Sequence, residues 1–185
     1  MKALSYLILS AALMSSALSA ATDCPTAPNA GVSVTTPTSD FILQGSVAIH
    51  KKTGLMWQRC MTGEVFSDNN TPDTSDDRCT ENPIAVSVPN AYTLSQQTVA
   101  DYTDWRLPNI KELYSIEEIC PSADGHLINL TVFPVSSANR STDKLPVLWS
   151  STNLIIAKQI INPTSTLIGL RLVREVKPIN NLAAN

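Results

Sequence analysis

Four cysteines, Cys24, Cys60, Cys79 and Cys120, behind an export-type leader constrain this chain more than any other feature. Lys2 supplies a positive n-region, and Ala3 to Leu18 form an apolar stretch interrupted by Ser5, Ser10, Ser15 and Ser16. Small residues then offer cleavage after Ser19 or Ala21. A membrane-spanning helix wants about twenty strongly apolar residues, and this segment is too short and too rich in serine. Residues 1–21 therefore read as a signal peptide, and no later segment reads as a bilayer span. Cys24 follows Thr22 and Asp23, too far past the small residues for a lipoprotein cysteine. Export places the mature chain in an oxidising setting, whether periplasm, cell surface or medium, and that setting decides how the thiols are read.

An even cysteine count outside the cytoplasm points to disulfides before metals. There is no CxxC pair, and His50 and His126 stand alone, so a zinc site is not expected. Four cysteines allow three pairings. Cys60 and Cys79 flank a polar loop, 61–78, that carries Asp68, Asn69, Asn70, Asp73, Asp76 and Asp77. Such a loop has little to bury and needs a covalent tie at its base. That pair leaves Cys24 with Cys120, tying an N-terminal arm to the end of a helix. On loop entropy the two bridges contribute about 3 and 4–5 kcal/mol respectively.

A chain of 185 residues, less its leader, suits one domain with a sizeable core. Apolar residues at 43% against charged residues at 16% exclude a disordered or coiled-coil composition. Losing Lys2 with the leader leaves 12 basic against 16 acidic groups, a net charge of −4. That balance gives no global attraction for nucleic acid or anionic lipid, so neither is expected as a partner, nor is membrane insertion after cleavage.

Residues 22–40, rich in Thr, Ser, Pro and Ala, read as an extended arm. The domain is expected over 41–176, with a tail at 177–185. Val47 and Ile49 alternate with Ser46, Ala48 and His50, Lys51-Lys52-Thr53-Gly54 makes a turn, and Leu55-Met56-Trp57 resumes the alternation: a β-hairpin. A weak helix is expected around Asn90 to Val99. A better one follows, capped by Asn109 with Glu112 three residues on, its buried stripe being Ile110, Leu113 and Ile116 and its end Cys120. Three strand-like runs close the chain at Val147–Ser151, Leu154–Ile161 and Leu167–Arg174, the last two joined by a turn at Asn162-Pro163-Thr164-Ser165. Helices in the middle and strands at both ends predict a single compact α+β domain with two short helices, whose N-terminal hairpin joins the C-terminal strands in one sheet.

Several short motifs occur in a fixed order: Thr53-Gly54-Leu55-Met56-Trp57, Asp104-Trp105-Arg106-Leu107-Pro108-Asn109-Ile110-Lys111-Glu112-Leu113, Asn129 to Pro134, Trp149-Ser150-Ser151-Thr152, and Arg171-Leu172-Val173-Arg174. Together they resemble the Lcl C-terminal domain family, named after a bacterial collagen-like adhesin, and Arg59-Cys60 with Cys79 resembles a cysteine-bearing subset. The resemblance spans residues 36–174. It implies a secreted or surface domain similar to C-type lectin-like folds, with carbohydrate or glycosaminoglycan binding as in the founding adhesin. This chain lacks a collagen-like repeat, is acidic, and is shortened between Trp149 and Arg171, without the aromatic residues usual there.

Trp105 and Arg106 are the binding candidates, a ring with a guanidinium beside it. The preferred alternative places Trp105, Trp57 and Trp149 in a shared core with Leu113, and pairs Arg106 with an acid such as Glu112. The acidic 61–78 loop lacks EF-hand spacing and reads as a solvated surface loop rather than a calcium site. No catalytic residues, metal ligands or cofactor are assigned. His50 and His126 read as surface residues, Glu117 and Glu118 point to different helix faces, and no phosphate loop is present. The expectation is an exported, non-catalytic domain that binds a surface glycan or protein, with homo-oligomerisation open. The alternatives are an accessory subunit of a cell-envelope or secreted assembly and, last, an enzyme.

Overall fold

The computed structural model describes residues 24, 31–84, 88–120, 127–136, 147–148, 150–151 and 168–176. The signal peptide, most of the arm before residue 31, His126, Trp149, the run Leu154–Ile161 with its following turn, and the tail lie outside the described residues.

The expected hairpin is the centre of the main sheet. Strands β2 (Val47–His50) and β3 (Leu55–Gln58) pair antiparallel, with Ala48 opposite Trp57 and Ile49 opposite Met56. Gly54 has φ +67°, a conformation that a side chain resists, and its N–H reaches the His50 carbonyl at 2.9 Å to close the turn. Another strand, absent from the sequence reading, precedes them: β1 (Phe41–Gln44) pairs antiparallel with β2. Its run is too short to show a period, and Ile42 is 44% exposed on this edge.

The C-terminal strand completes the sheet as expected. Strand β8 (Val173–Glu175) pairs antiparallel with β3, Trp57 facing Val173 and Met56 facing Arg174, to give the order β1-β2-β3-β8. Arg106 adds a bridge on the outer side of Val173.

Side chains alternate across a strand, so β3 serves two cores. Leu55 and Trp57 join Phe41, Ala48, Val173, Leu113, Ile116, Val132 and Phe133 on one face. Met56 joins Val47, Ala91, Trp105, Leu107, Leu170 and Leu172 on the other. All four residues of β3 are therefore buried. The shared tryptophan core needs correction here: Trp57 and Trp105 are both buried, but in separate clusters on opposite faces.

Helix α1 (Val88–Leu94) is shorter and earlier than the stretch Asn90–Val99, because Ser95 Oγ donates to the Tyr92 carbonyl and the chain turns away. Helix α2 (Ile110–Tyr114) carries the expected capping box: Asn109 accepts from the Glu112 N–H, and Glu112 accepts from the Asn109 N–H at 2.7 Å. It stops well short of Cys120. Ser115 Oγ takes the Glu112 carbonyl, and Glu118 is drawn off to the N-terminal arm, so Leu113 and Ile116 bury while Ile110 is half-buried.

The 61–78 segment is not merely a solvated loop. Strands β4 (Val65–Ser67) and β5 (Arg78–Thr80) form a ladder at its base, with Phe66 opposite Cys79. The last strand-like run is also broken in two. Strands β6 (Val147–Leu148) and β7 (Ile168–Gly169) pair parallel, and Leu170 to Leu172 leave the ladder before β8 begins. Their backbone goes elsewhere: Leu170 O accepts from Thr62 N, Leu172 O from Gln58 N, and Leu172 N donates to Gln58 Oε1.

Disulfides join Cys24 to Cys120 across 96 positions and Cys60 to Cys79 across 19. All four cysteines are buried, from 3% to 8% exposed. Replacing Cys24 and Cys120 together by Ser is expected to lower unfolding free energy by about 4–5 kcal/mol, and replacing Cys60 and Cys79 by about 3 kcal/mol. Urea midpoints of the two variants check the order, and equal losses would count against a chain-entropy origin.

Candidate functional site

The arginines of the sequence motifs build the interior. Arg59, 1% exposed, donates from Nε to the Val132 carbonyl, from Nη1 to Gly45 O and from Nη2 to Thr131 O. Its Nη1 also meets Asp77 Oδ2 at 2.6 Å, and the guanidinium lies over the Phe66 ring. A buried guanidinium is tolerable only when paired and hydrogen-bonded, and this one joins the β1–β2 turn, the 131–132 loop and the acidic segment. The sequence reading treats Asp77 as part of a solvated loop. Its side chain is only 4% exposed.

Arg171 lies next to Arg59 and donates from Nη1 to the carbonyls of Gln58 and Arg59, with its guanidinium over Phe133. Its Nε has no hydrogen-bond partner among the described residues. Burial pulls its pKa down to about 10, Glu64 acting against that and Arg59 with it, so it stays charged at neutral pH.

Of the two binding candidates, Trp105 is 4% exposed, and its Nε1 donates to the Val99 carbonyl. Arg106 is at the surface, its side chain 40% exposed. Both of its terminal nitrogens bond Glu112 at 2.8 Å, the pairing anticipated for it. The bond to Glu112 raises the Arg106 pKa. Burial would raise Glu112, but the Arg106 and Asn109 hydrogen bonds outweigh it and the net shift is down. Trp57 and Leu113 are core residues, at 0% and 5% exposure.

An aromatic group that the sequence reading passes over stands beside Trp105. Tyr102 is 36% exposed, with the Arg174 guanidinium 4.0 Å from its ring centroid and Trp105 edge-on at 6.5 Å. Arg174 is in turn fixed by Asp104, at 2.6 Å from Nε and 3.1 Å from Nη2, and by Met56 Sδ at 3.5 Å. Tyr102 follows a tight turn in which Ala100 (φ 49°) and Asp101 (φ 65°) are both left-handed and Val99 and Tyr102 exchange N–H···O bonds. Type I′ turns require this backbone and normally recruit Gly or Asn. Ala in that region costs about 1 kcal/mol or more. Only the Ala-Asp pair could have signalled the turn in advance, and it is a poor signal.

The N-terminal arm is strapped to the body by Glu118. Its carboxylate accepts five hydrogen bonds, from the N–H and hydroxyl groups of Thr35 and Thr36 and from the Cys120 N–H. Burial acts to raise its pKa, and these donors more than reverse that, giving a net lowering. An open groove of about 250 Å³ lies beside this strap, between Val34, Pro37, Thr38 and Ile128, Asn129, Leu130. A second, of about 120 Å³, runs past Cys60, Glu64, Phe66 and Gln97. Cys60, Glu64 and Cys79 are clustered closely enough for a metal, but the two sulfurs bond each other and offer no thiolate.

His50, read as a surface residue, is 3% exposed, stacked on Phe41 at 4.7 Å and in contact with Thr53 Oγ1 at 3.0 Å. It sits on the inner face of β2 beside Ala48, opposite to the placement expected. Burial lowers its pKa, against the pull of Asp40. His126 lies outside the described residues.

Replacing Asp77 by Ala leaves Arg59 buried and unpaired, and is expected to cost about 3–5 kcal/mol. Asp73→Ala, at a fully exposed position, is expected to leave the midpoint of the same urea curve essentially where it is in the wild type. The pH dependence has two stages, since lowered folded pKa values mean that stability is lost as pH falls. The His50 part declines from the ordinary histidine value of about 6.5 downward, and the Glu112 and Glu118 part from about 4.3 downward. His50→Gln is expected to flatten the first stage. Glu118→Gln flattens much of the second and lowers stability at pH 7 by about 2 kcal/mol. A stability unchanged between pH 7 and pH 5 would contradict a buried, neutral His50.

The motifs that resemble one family are thus brought together: the Met56-Trp57 strand pairs with the Val173-Arg174 strand, Arg106 flanks it, and Ser151 N donates to the Pro108 carbonyl at 2.8 Å. No curated protein and no solved structure matches the chain. The profile of the Lcl C-terminal domain matches residues 46–166, well over half of the sequence, and the chain belongs to the Lcl C-terminal domain family, an adhesin-related group of surface domains.

Proposed function

We propose that this chain is an exported, non-catalytic binding module that engages a glycan or a protein at the cell surface. The observation that carries the reading is how the charged groups of the motifs are used. Arg59 with Asp77, Arg106 with Glu112, Arg174 with Asp104, and Glu118 with the Thr35-Thr36 segment each hold two parts of the backbone together. Groups committed in this way serve rigidity, and a catalytic acid, base or nucleophile must instead stay available to substrate. His50, the one histidine among the described residues, is buried and stacked on Phe41.

Family membership and two disulfides fit an exported protein, and among the described residues no helix is long and apolar enough to cross a membrane. The adjacency of N- and C-terminal strands in one sheet supports kinship with C-type lectin-like folds. Against the founding adhesin's sulfated ligands, the balance of 12 basic against 16 acidic groups that is left without Lys2, a net charge of −4, favours a neutral partner.

The test is the mature, oxidised protein on an array of neutral and sulfated glycans, alongside a pull-down from envelope extract. Retention of a neutral glycan subset is expected. A stoichiometric protein partner with no glycan retained would favour the accessory-subunit reading, and turnover of any arrayed glycan would end the non-catalytic one.

A further inference from the structure

We infer that the Cys60–Cys79 bridge covers a latent metal site: once a dithiol reductant opens it, Cys60, Cys79 and Glu64 bind a thiophilic divalent ion of the zinc type. The inference is independent of the binding-module reading and concerns the reduced state of the same chain. In the oxidised protein the two sulfurs bond each other and the site is shut.

The ligand atoms already stand together. Both Sγ atoms and a Glu64 carboxylate oxygen lie within 4.8 Å of one another. The Cα atoms of the two cysteines are 5.7 Å apart. Side-chain rotation alone therefore separates the sulfurs to the ~3.7 Å spanned by two Zn–S bonds of about 2.3 Å at a tetrahedral angle. Contacts other than the bridge hold each ligand in place. Cys60 follows β3, the strand buried on both faces. Cys79 is the central residue of β5, opposite Phe66 of β4. Glu64 is locked in a tight turn, its N–H donating to the Met61 carbonyl and its Oε2 accepting from the Met61 N–H at 2.8 Å. Gly63 permits that turn, with φ +96° and a position at which a Cβ would lie 2.5 Å from Ile84. An ionised carboxylate has about four acceptor positions, so the bond to Met61 does not prevent coordination.

Ligand chemistry selects the ion. Thiolates favour zinc-like ions over the hard cations Mg²⁺ and Ca²⁺, which take oxygen. Charge selects its valence. Beside the site Arg59 and Arg171 are buried cations, with Asp77 against the first and Glu64 acting on the second. As a set these four groups are neutral, so two thiolates add two negative charges that one divalent ion cancels. Buried and without that ion, the thiolates would be uncompensated. A groove of about 120 Å³ reaches Cys60 and Glu64, giving an entry path and room for a water as fourth ligand.

The opening step is thiol–disulfide exchange. A thiolate of the dithiol, arriving through the groove, attacks Cys60 Sγ, and the Cys60–Cys79 bond breaks. Cys79 leaves and takes a proton, with the Pro134 carbonyl 3.0 Å from its sulfur to accept the new S–H. The second thiol of the reductant then attacks the mixed disulfide, releases Cys60 and closes its own disulfide. Two electrons and two protons thus pass from the dithiol to the bridge. Metal binding expels the same two protons to solvent as both thiols become thiolate ligands.

The test reduces the mature chain with dithiothreitol, removes the reductant anaerobically and titrates Co²⁺, whose thiolate charge-transfer absorption reports sulfur ligation. The reduced protein is expected to bind a single Co²⁺ with that absorption, which Zn²⁺ displaces and excess Mg²⁺ or Ca²⁺ does not. The oxidised protein is expected to show none. In the reduced wild type, Zn²⁺ is expected to shield Cys60 and Cys79 from alkylation, and not Cys24 or Cys120, as read by mass spectrometry. Glu64→Gln is expected to weaken Co²⁺ binding by about tenfold or more, since even outer-shell partners of metal ligands are worth that much. A reduced chain without the absorption would overturn the site even if the cause were unfolding, because β3, β5 and the 61–64 turn are what hold it. Shielding of Cys24 and Cys120 instead, or displacement of Co²⁺ by Ca²⁺, would overturn the assignment of the ligands. Glu64→Gln binding as tightly as wild type would overturn the three-ligand set.

Discussion

The pairing of β3 with β8 is the constraint on which the rest of this structure depends. It sets Leu55, Met56 and Trp57 against Glu175, Arg174 and Val173, residues more than a hundred positions apart. Closing so long a loop is entropically unfavourable, by an amount that grows slowly with its length. What offsets it is concentrated along one strand: β3 is buried on both faces, Trp57 fully so, and each face carries its own apolar cluster. The Cys24–Cys120 bridge acts on the same problem from the unfolded side, by shrinking the ensemble that has to be ordered.

Polar groups then decide which packing of that body is unique. A core of apolar residues tolerates sliding, whereas a buried guanidinium that must find three carbonyls and one carboxylate does not. Arg59 needs Gly45, Thr131, Val132 and Asp77 in place at once. Glu118 makes a comparable demand of the N-terminal arm, and Asp104 of β8. These contacts are modest in net energy for their desolvation, and their effect is registry. The motifs shared with the family are in this sense instructions for assembly, and the ligand must be met by what lies around them.

Features with a local cause were legible in the chain. The β2–β3 hairpin follows from alternation and one glycine, and the α2 cap from Asn109 and Glu112 three residues apart. The Arg106–Glu112 pair lies within the same stretch, and both disulfides follow from a polar loop that had to be closed. Features with a distant cause were not. His50 looks like a surface residue at the end of its strand until Phe41 stacks on it, Asp77 looks solvated until Arg59 reaches it, and β1 has no signal of its own without β2 beside it. Helix α2 looks longer than it is because nothing local reveals that Glu118 is claimed by Thr35 and Thr36. The Tyr102 turn was missed for a different reason. Ala100-Asp101 is not a pair that turn chemistry favours, and tertiary contacts hold it there.

Two covalent bridges close this body, and an oxidising environment is what they need to form and persist. The most direct measurement is peptide mapping of the purified mature protein, digested without reduction and read by mass spectrometry. It should return two linked pairs, Cys24 with Cys120 and Cys60 with Cys79, and no alkylatable thiol. Free cysteines, or a bridge between Cys24 and either member of the second pair, would contradict it.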